Sequence, residues 1–440
     1  MIYIEKLFQN KTFLRKSKNS VERIYDMTVN MTRSFKKETW KIMKEMIFGI
    51  MQVKDISLSE IGRYSYKNKI GTKLKHIVAS YSKFLLNKKA INRYMEKYIH
   101  KTTKLISKWV DKIYIAIDGW DIVKEHSKSR NIWHVHDGSS WEIKRWYVME
   151  TAVAFNSKLE SIPLLWKFYT RKKNYKSDNN VVRKVIKTLK KAISKRLKVV
   201  YLFDRWYDSK AFFEFLSSLW IKFIIKMRTN RYVKVKWKTV QIGDAYTKLR
   251  SLRSKVKIIL KGWTETTGRL YYWQIRIFDW NERRKYRLVV IKNNKWNHML
   301  LTNEKISNKE EAMEVIKAYS YRRLIEETYK YMKQRYKLEY MHIRDIKEDQ
   351  DKQIIRMNNL YNLLLSAIWL SMLWLEIIWE SNKELLLEVR AIDYMWYKLR
   401  NPIWWWLDVL EKIIRNWRFL QNRYQRYWLK HQENLLFSPI

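Results

Sequence analysis

The chain has no cysteine in its 440 residues, which excludes disulfides and every thiolate metal site. Proline is almost as scarce, with 3, and glycine numbers 8, where the usual ~7% of a chain this long would supply about 31. Tight turns that rely on positive φ are therefore short of their usual residue. Tryptophan runs the other way, with 23 copies. A GC-poor gene explains few glycines and prolines, whose codons are GC-rich, but not surplus tryptophan.

Acidic residues are also in deficit: 43 Asp and Glu face 91 Lys and Arg, a net charge of +48 spread along the chain. A polyanion, nucleic acid first, is the natural partner, since each phosphate neutralised by Lys or Arg releases counterions. The plainer reading is that an AT-rich gene inflates Lys, Asn and Ile at any solvated surface. The opening "MIYIEKLFQNKTFLRKS" has no apolar leader run, and with the basic balance this sets the expected location in the cytoplasm, associated with the nucleoid. Only "NLLLSAIWLSMLWLEIIW", residues 362–379, approaches the roughly 20 apolar residues of a membrane span. Glu376 and two serines interrupt it, so it is expected to be a buried core helix, with no membrane partner.

Residues 1–110 show helical apolar periods interleaved with basic residues, as in "TWKIMKEMIFGIMQ". Ser57 or Ser59 can cap a short helix that leads by a loop into a longer one; this resembles a helix-turn-helix, and a generic helical bundle reads equally well. From Lys112 the texture changes. "KIYIAID", "RWYVMETAVAF", "KLESIPLLWKFY", "LKVVYLFD" and "IKFIIKMR" read as strands, with helices at "DNNVVRKVIKTLKKAISKR" and "DSKAFFEFLSSL", which indicates an α/β sheet. Residues 231–305 hold four strand-like runs without helices, a β-rich insertion. Helix resumes from Lys309 through about Lys347, followed by the apolar helix and a basic, Trp-rich tail.

Asp118 in "IYIAIDGW" and Asp204 in "VVYLFDRW" stand at predicted strand ends, which in an α/β sheet face the ligand crevice. Either alone reads equally as a turn cap. Further on, Tyr319, Arg322, Glu326 and Lys333 are spaced Y-x2-R-x3-E-x6-K. On one continuous helix the last three share a face. In isolation Arg322 and Glu326 would be an ordinary i, i+4 pair worth about 0.3–0.5 kcal/mol.

Together these segments resemble the DDE transposases of bacterial insertion sequences, specifically the insertion-sequence-four family, over Asp118 to about Arg344. The resemblance implies an RNase H-like catalytic core with a β-rich insertion, an α/β fold preceded by an all-helical DNA-binding domain. The implied organisation is a DNA-binding domain at 1–110, a catalytic core at 111–230 and 306–380, an insertion at 231–305 and a basic C-terminal region at 381–440. It implies Asp118, Asp204 and Glu326 as catalytic metal ligands for two Mg²⁺ or Mn²⁺ ions, hard cations that favour carboxylate oxygen. It implies water attack that frees a 3′-hydroxyl at the element end, then attack of that hydroxyl on target DNA. Tyr319, Arg322 and Lys333, with Lys330 as a further contact, are the implied DNA-binding residues. The implied partners are double-stranded DNA, as terminal inverted repeats and target, and a second copy in a homodimer. The alternative is a catalytically inactive DNA-binding protein or regulator derived from such an element; a third is an RNase H-like nuclease that cuts but never joins.

Neighbouring groups compete for these roles. Asp208 reads as the N-cap of "SKAFFEFL", and Glu327 points about 100° away from Glu326. Asp121 and Asp137 read as outer groups, and His134 and His136 as DNA-binding or packing residues before metal ligands. Trp206, in "DRWYDSK", stands where the family carries glycine, and Trp220 where a helix C-cap glycine is expected. Trp141 and Trp146 interrupt an expected tight turn, whereas Trp166 in "PLLWKFY" reads as a core aromatic. One cause fits both anomalies: UGA codons that the cell reads as glycine, rendered here as tryptophan. An organism that truly reads UGA as tryptophan, or a decayed element, is the rival. An indole at 206 is expected to crowd Asp204.

Overall fold

The computed structural model describes residues 26–66, 72–108, 110–123, 132–136, 142–157, 161–169, 177–235, 238–245, 251–259, 265–277, 286–292, 297–336, 338 and 350–381, with 19 and 23 singly. The expected basic C-terminal region at 381–440 lies almost wholly outside them. The chain divides into two units, Met1–Trp40 with Ser366–Ile440, and Lys41–Leu365. The second carries the sheet and all the residues discussed below as a site.

Among the described residues, residues 26–32 are helical and four further helices follow before the first strand: α1 (Lys37–Val53), α2 (Leu58–Tyr66), α3 (Leu74–Phe84) and α4 (Lys88–Ile106). Each turns an apolar stripe inward, such as Ile77, Tyr81 and Phe84 on α3. Two glycines let them approach closely. A Cβ on Gly49 would stand 2.8 Å from Ile61 Cγ2, and one on Gly62 would stand 3.1 Å from both Leu74 Cδ1 and Val78 Cγ2. The buried Tyr81 hydroxyl ties α1, α2 and α3 together through Glu45 (3.1 Å) and Ser65 (2.6 Å).

Twelve strands form one sheet among the described residues. Its centre is β1 (Lys112–Val123), antiparallel to β3 (Ile143–Phe155) on one side and parallel to β5 (Lys198–Phe203) on the other. Outside β3 lie β2 (Trp133–His136) and β4 (Ser161–Tyr169), both antiparallel to it. Outside β5 lies β6 (Lys222–Lys226), parallel. The path β4-β3-β1-β5-β6, with helices α5 (Asp178–Ala192) and α6 (Lys210–Ser218), is a mixed α/β arrangement consistent with an RNase H-like core. Trp146 sits inside β3, paired with Val123 and Trp133, and not in a turn; an extended backbone accepts any residue there. Trp166 is fully buried, as a core aromatic should be.

Past β6 the chain forms β7 (Tyr232–Val235), β8 (Lys238–Gln241), β9 (Ser251–Ile259), β10 (Glu265–Ile277), β11 (Tyr286–Lys292) and β12 (Asn297–Thr302). A one-turn helix, Ile242–Ala245, interrupts a segment expected to hold no helix, and six strands stand where four are expected, β8 and β12 being the additions. The last of them returns to pair antiparallel with β6, Leu301 opposite Ile225, and so extends the core sheet.

Helices α7 (Lys309–Ser320) and α8 (Arg323–Arg335) replace the single helix expected from Lys309. At the joint Tyr321 N–H donates to Ala318, Arg322 to Tyr319, and Ile325 to Arg322, each three residues back. The tightened bonds re-aim the chain with no glycine or proline to announce it. Helix α9 (Gln350–Ser381) contains the long apolar run, buried from Met357 to Leu370. No helix among the described residues is long and apolar enough to cross a membrane. On α9, Asn358 and Asn362 lie one turn apart beside the outer edge of β4. Asn362 accepts from Trp166 N (3.1 Å) and donates to Trp166 O (3.3 Å); Asn358 does the same with Phe168 (2.7 and 3.2 Å).

Candidate active site

Strand register places the two aspartates. The parallel pairing of β1 with β5 ends at Ile117 opposite Phe203, so Asp118 and Asp204 are the residues that directly follow it on the two adjacent chains. Asp118 is not a strand terminus, however: β1 loses β5 there but keeps β3, which carries it on to Val123. After Asp204 the chain enters a 3-10 turn, Arg205–Tyr207.

The α7–α8 joint brings the third acid. Glu326 lies in the first turn of α8 and Arg322 at its N-cap. The Arg322 guanidinium donates to Asp118 Oδ2 (2.5 Å) through Nη1 and to Glu326 Oε1 (3.2 Å) through Nη2, bridging two of the three carboxylates. Tyr319, in the last turn of α7, donates its hydroxyl to Asp204 Oδ1 at 3.4 Å. Tyr329 fastens α8 over the sheet: its ring stacks on Trp120 (centroids 4.6 Å apart, 3° between planes), and its hydroxyl donates to Asp118 O at 3.4 Å. Three of the four spaced signature residues thus touch one another or a strand aspartate. Lys330 is exposed, one turn beyond Glu326, and Lys333 is half-buried a further turn along α8.

Electrostatics matches the geometry. Burial, with the charges of Asp204 and Glu326, pushes Asp118 up to about 6, against the opposing pull of Arg322. Burial works against the charge on Arg322, yet the surrounding acids, Asp118 foremost, raise its pKa above the usual value. Tyr319 is raised by burial and by the same two aspartates, so its hydroxyl stays a donor. The donor set, three carboxylates whose negative charges already destabilise one another, fits a hard cation. Among the described residues the acids are not drawn into a ligating cluster; the cation between Asp118 and Glu326 is the Arg322 guanidinium.

Several neighbours differ from expectation. Asp208 is not a helix cap. Ser209 precedes α6 without a side-chain cap bond, while the Asp208 carboxylate is buried, paired with Arg231 Nε (2.6 Å) and accepting from Arg228 N (3.0 Å). Trp206 does not crowd Asp204: it is 69% exposed, its ring 6.0 Å from the Arg205 guanidinium. Asp121 is half-buried on β1. His134 and His136 lie on β2 but their side chains, like that of Glu327, fall outside the described residues, as do Asp137 and Trp141.

Two groups went unread in the sequence. Glu150, 2% exposed in β3, accepts from Tyr207 Oη at 2.8 Å. Burial holds its pKa well above the usual carboxylate range; the Tyr207 bond opposes this, and the charges of Asp118, Asp178 and Asp121 reinforce it. The available signal was a lone acid inside the apolar strand "YVMETAVAF". Lys226 on β6 has its pKa lowered by burial, partly offset by Asp204.

Residues 110–363 match the family described as Transposase DDE domain. No curated protein matches the chain.

Proposed function

Because the chain belongs to the transposase DDE domain family, we propose that it is the transposase of an insertion sequence of the insertion-sequence-four type, cleaving at its element ends and joining the freed 3′-hydroxyls to target DNA by metal-dependent phosphoryl transfer. The observation that carries this reading is the linkage of Asp204 to Tyr319 and of Asp118 and Glu326 to Arg322, where the pairing of β1 with β5 ends.

Asp118, Asp204 and Glu326 would hold Mg²⁺ or Mn²⁺, two ions in the full site, which supply positive charge at the reacting phosphate. The other roles belong to side chains. Arg322 uses one hydrogen bond from each terminal nitrogen on the acids, and a guanidinium has five donors, so it retains capacity for a phosphate oxygen. Tyr319 holds the Asp204 carboxylate and stays protonated. Lys330 and Lys333 continue the basic line along α8 toward the DNA backbone. The remainder of the reading assigns DNA binding to the helical domain at 1–110, a core at 111–230 and 306–380 interrupted at 231–305, a homodimer pairing two ends, and a nucleoid-associated cytoplasmic location.

An Asp204→Asn protein, incubated with a duplex carrying its terminal repeat, should bind the repeat as the parent does and show no Mg²⁺-dependent cleavage. Continued cutting would overturn the assignment. A parent that binds the repeat but never cuts it identifies instead a DNA-binding regulator.

A further inference from the structure

Glu150 has no place in the reading above, yet it is a carboxylate buried mid-strand, where an apolar side chain would avoid a desolvation penalty. Its register partner on β1 is Gly119, next to Asp118. An ideal Cβ at Gly119 would lie 3.7 and 3.9 Å from the two Glu150 oxygens, so the carboxylate occupies the space over that glycine. Its hydrogen-bond donor, Tyr207, is itself buried and ends the 3-10 turn that starts after Asp204. Tyr207 N–H donates to the Asp204 carbonyl (3.1 Å), and its ring meets Phe203 edge-on (centroids 5.7 Å apart) and Phe212 (5.6 Å). Asp204 is therefore held on its first side by Phe203 within β5 and on its second by a turn whose anchor reaches across the sheet to β3.

We propose that Glu150 is a positioning residue for the Asp204 carboxylate, acting through Tyr207. The inference rests on the transposase reading for its functional consequence, but its geometry concerns metal affinity and is testable apart from cleavage. Three variants of the full chain separate the possibilities: Tyr207→Phe deletes the donor, Glu150→Ala deletes the acceptor, and Glu150→Gln keeps an acceptor of the same length. The readouts are the Mn²⁺ concentration needed for half of the metal-induced rise in melting temperature, and separately the Mg²⁺ dependence of repeat cleavage. Tyr207→Phe and Glu150→Ala are expected to raise both half-points by ~10-fold or more, the usual effect of losing an orienting partner behind a ligand. Glu150→Gln should remain near the parent, and repeat binding without metal should be unchanged in all three. Equal loss in Glu150→Gln and Glu150→Ala, or a parent-like Tyr207→Phe, overturns the proposal. A parent that binds Mn²⁺ without cleaving removes the transposase reading alone, and the Mn²⁺ titration still decides the role of Glu150. A parent with no Mn²⁺ response overturns both.

A second inference is carried by the backbone at residue 220. Helix α6 ends in a Schellman motif: Trp220 N–H donates to Ser217 O and Ile221 N–H to Leu216 O, both at 3.0 Å. Trp220 has φ of +55° and is 90% exposed. The left-handed conformation penalises any side chain with a Cβ, and an indole in solvent gains no burial to offset it. Trp206 makes no such demand, because among the described residues only Lys54 and Trp220 combine a side chain with positive φ. With 8 glycines against 23 tryptophans in the chain, we infer that position 220 is glycine in the protein as its cell makes it, encoded by UGA. The gene decides: a UGA codon at 220 with glycine in the native peptide by mass spectrometry is expected, and a UGG codon overturns the inference. Independently, Trp220→Gly should raise the melting temperature by about 2 °C or more; an unchanged or lower value counts against a glycine position.

Discussion

At the scale of the residue, Asp118 shows how a site carries its own instability. Its carboxyl is held at about 6 by burial and by two neighbouring acids. The folded pKa is raised, so the associated stability is complete below the unfolded pKa near 4 and is lost as pH rises through about 6. Asp118→Asn, which mimics the neutral form, should therefore melt higher than the metal-free parent at pH 7.5, by on the order of 2 kcal/mol. The advantage should vanish near pH 4. Calorimetry at the two pH values checks this, and a constant difference would show that the acid is not under strain. The placement of Asp204 after a strand was legible from the β-branched and aromatic run before it, whereas the expected strand end at Asp118 was not met, because pairing with β3 carries β1 on to Val123. Glu150 was not legible, since its partner Tyr207 lies 57 residues away, and nothing in a strand's alternation reveals what crosses over it. The environment of Asp208 was misread for the same reason: its partners Arg228 and Arg231 arrive from the far end of β6.

At the scale of the element, α9 meets the unpaired edge of β4 with side chains. Two asparagines four apart on a helix rise about 6 Å, close to the ~6.8 Å that separates alternate residues of a strand. Asn358 and Asn362 can thus satisfy both polar groups of Phe168 and of Trp166. Replacing either by alanine leaves a buried N–H and C=O without partners and should destabilise by about 1–3 kcal/mol, measured as a lower denaturant midpoint. Replacing both should cost more than either alone. The apolar run of α9 was legible as a buried helix, whereas the role of its asparagines was not, because it depends on which strand lies at the sheet edge. The α7–α8 joint was hidden for a local reason. Its tightened bonds arise among Ala318, Tyr319 and Arg322, residues that propagate a helix as readily as they interrupt one, and the interruption lets Arg322 reach Asp118 while Glu326 stays beside it.

At the scale of the whole molecule, the net charge of +48 predicts DNA binding dominated by counterion release. Raising salt from 50 to 200 mM should weaken duplex binding by ~10³-fold or more, with log affinity linear in log salt, as fluorescence anisotropy would read. A flat response would assign the charge to the gene's base composition and not to a polyanion. The mixed sheet around β1 was legible from the alternation of strands and helices; its continuation through β12 was not, because pairing between β6 and β12 joins residues some 75 positions apart. That pairing has an engineering consequence. The chain leaves the core at Met227 and is back beside it at Met299, whose carbonyl accepts from Met227 N–H at 2.9 Å. The described strands of the insertion thus leave and rejoin the core at neighbouring positions, but the segment is not a free cassette: an exchange has to keep Arg228 and Arg231, which hold the buried Asp208 carboxylate, and Tyr286, whose ring packs on Phe213 and Phe223.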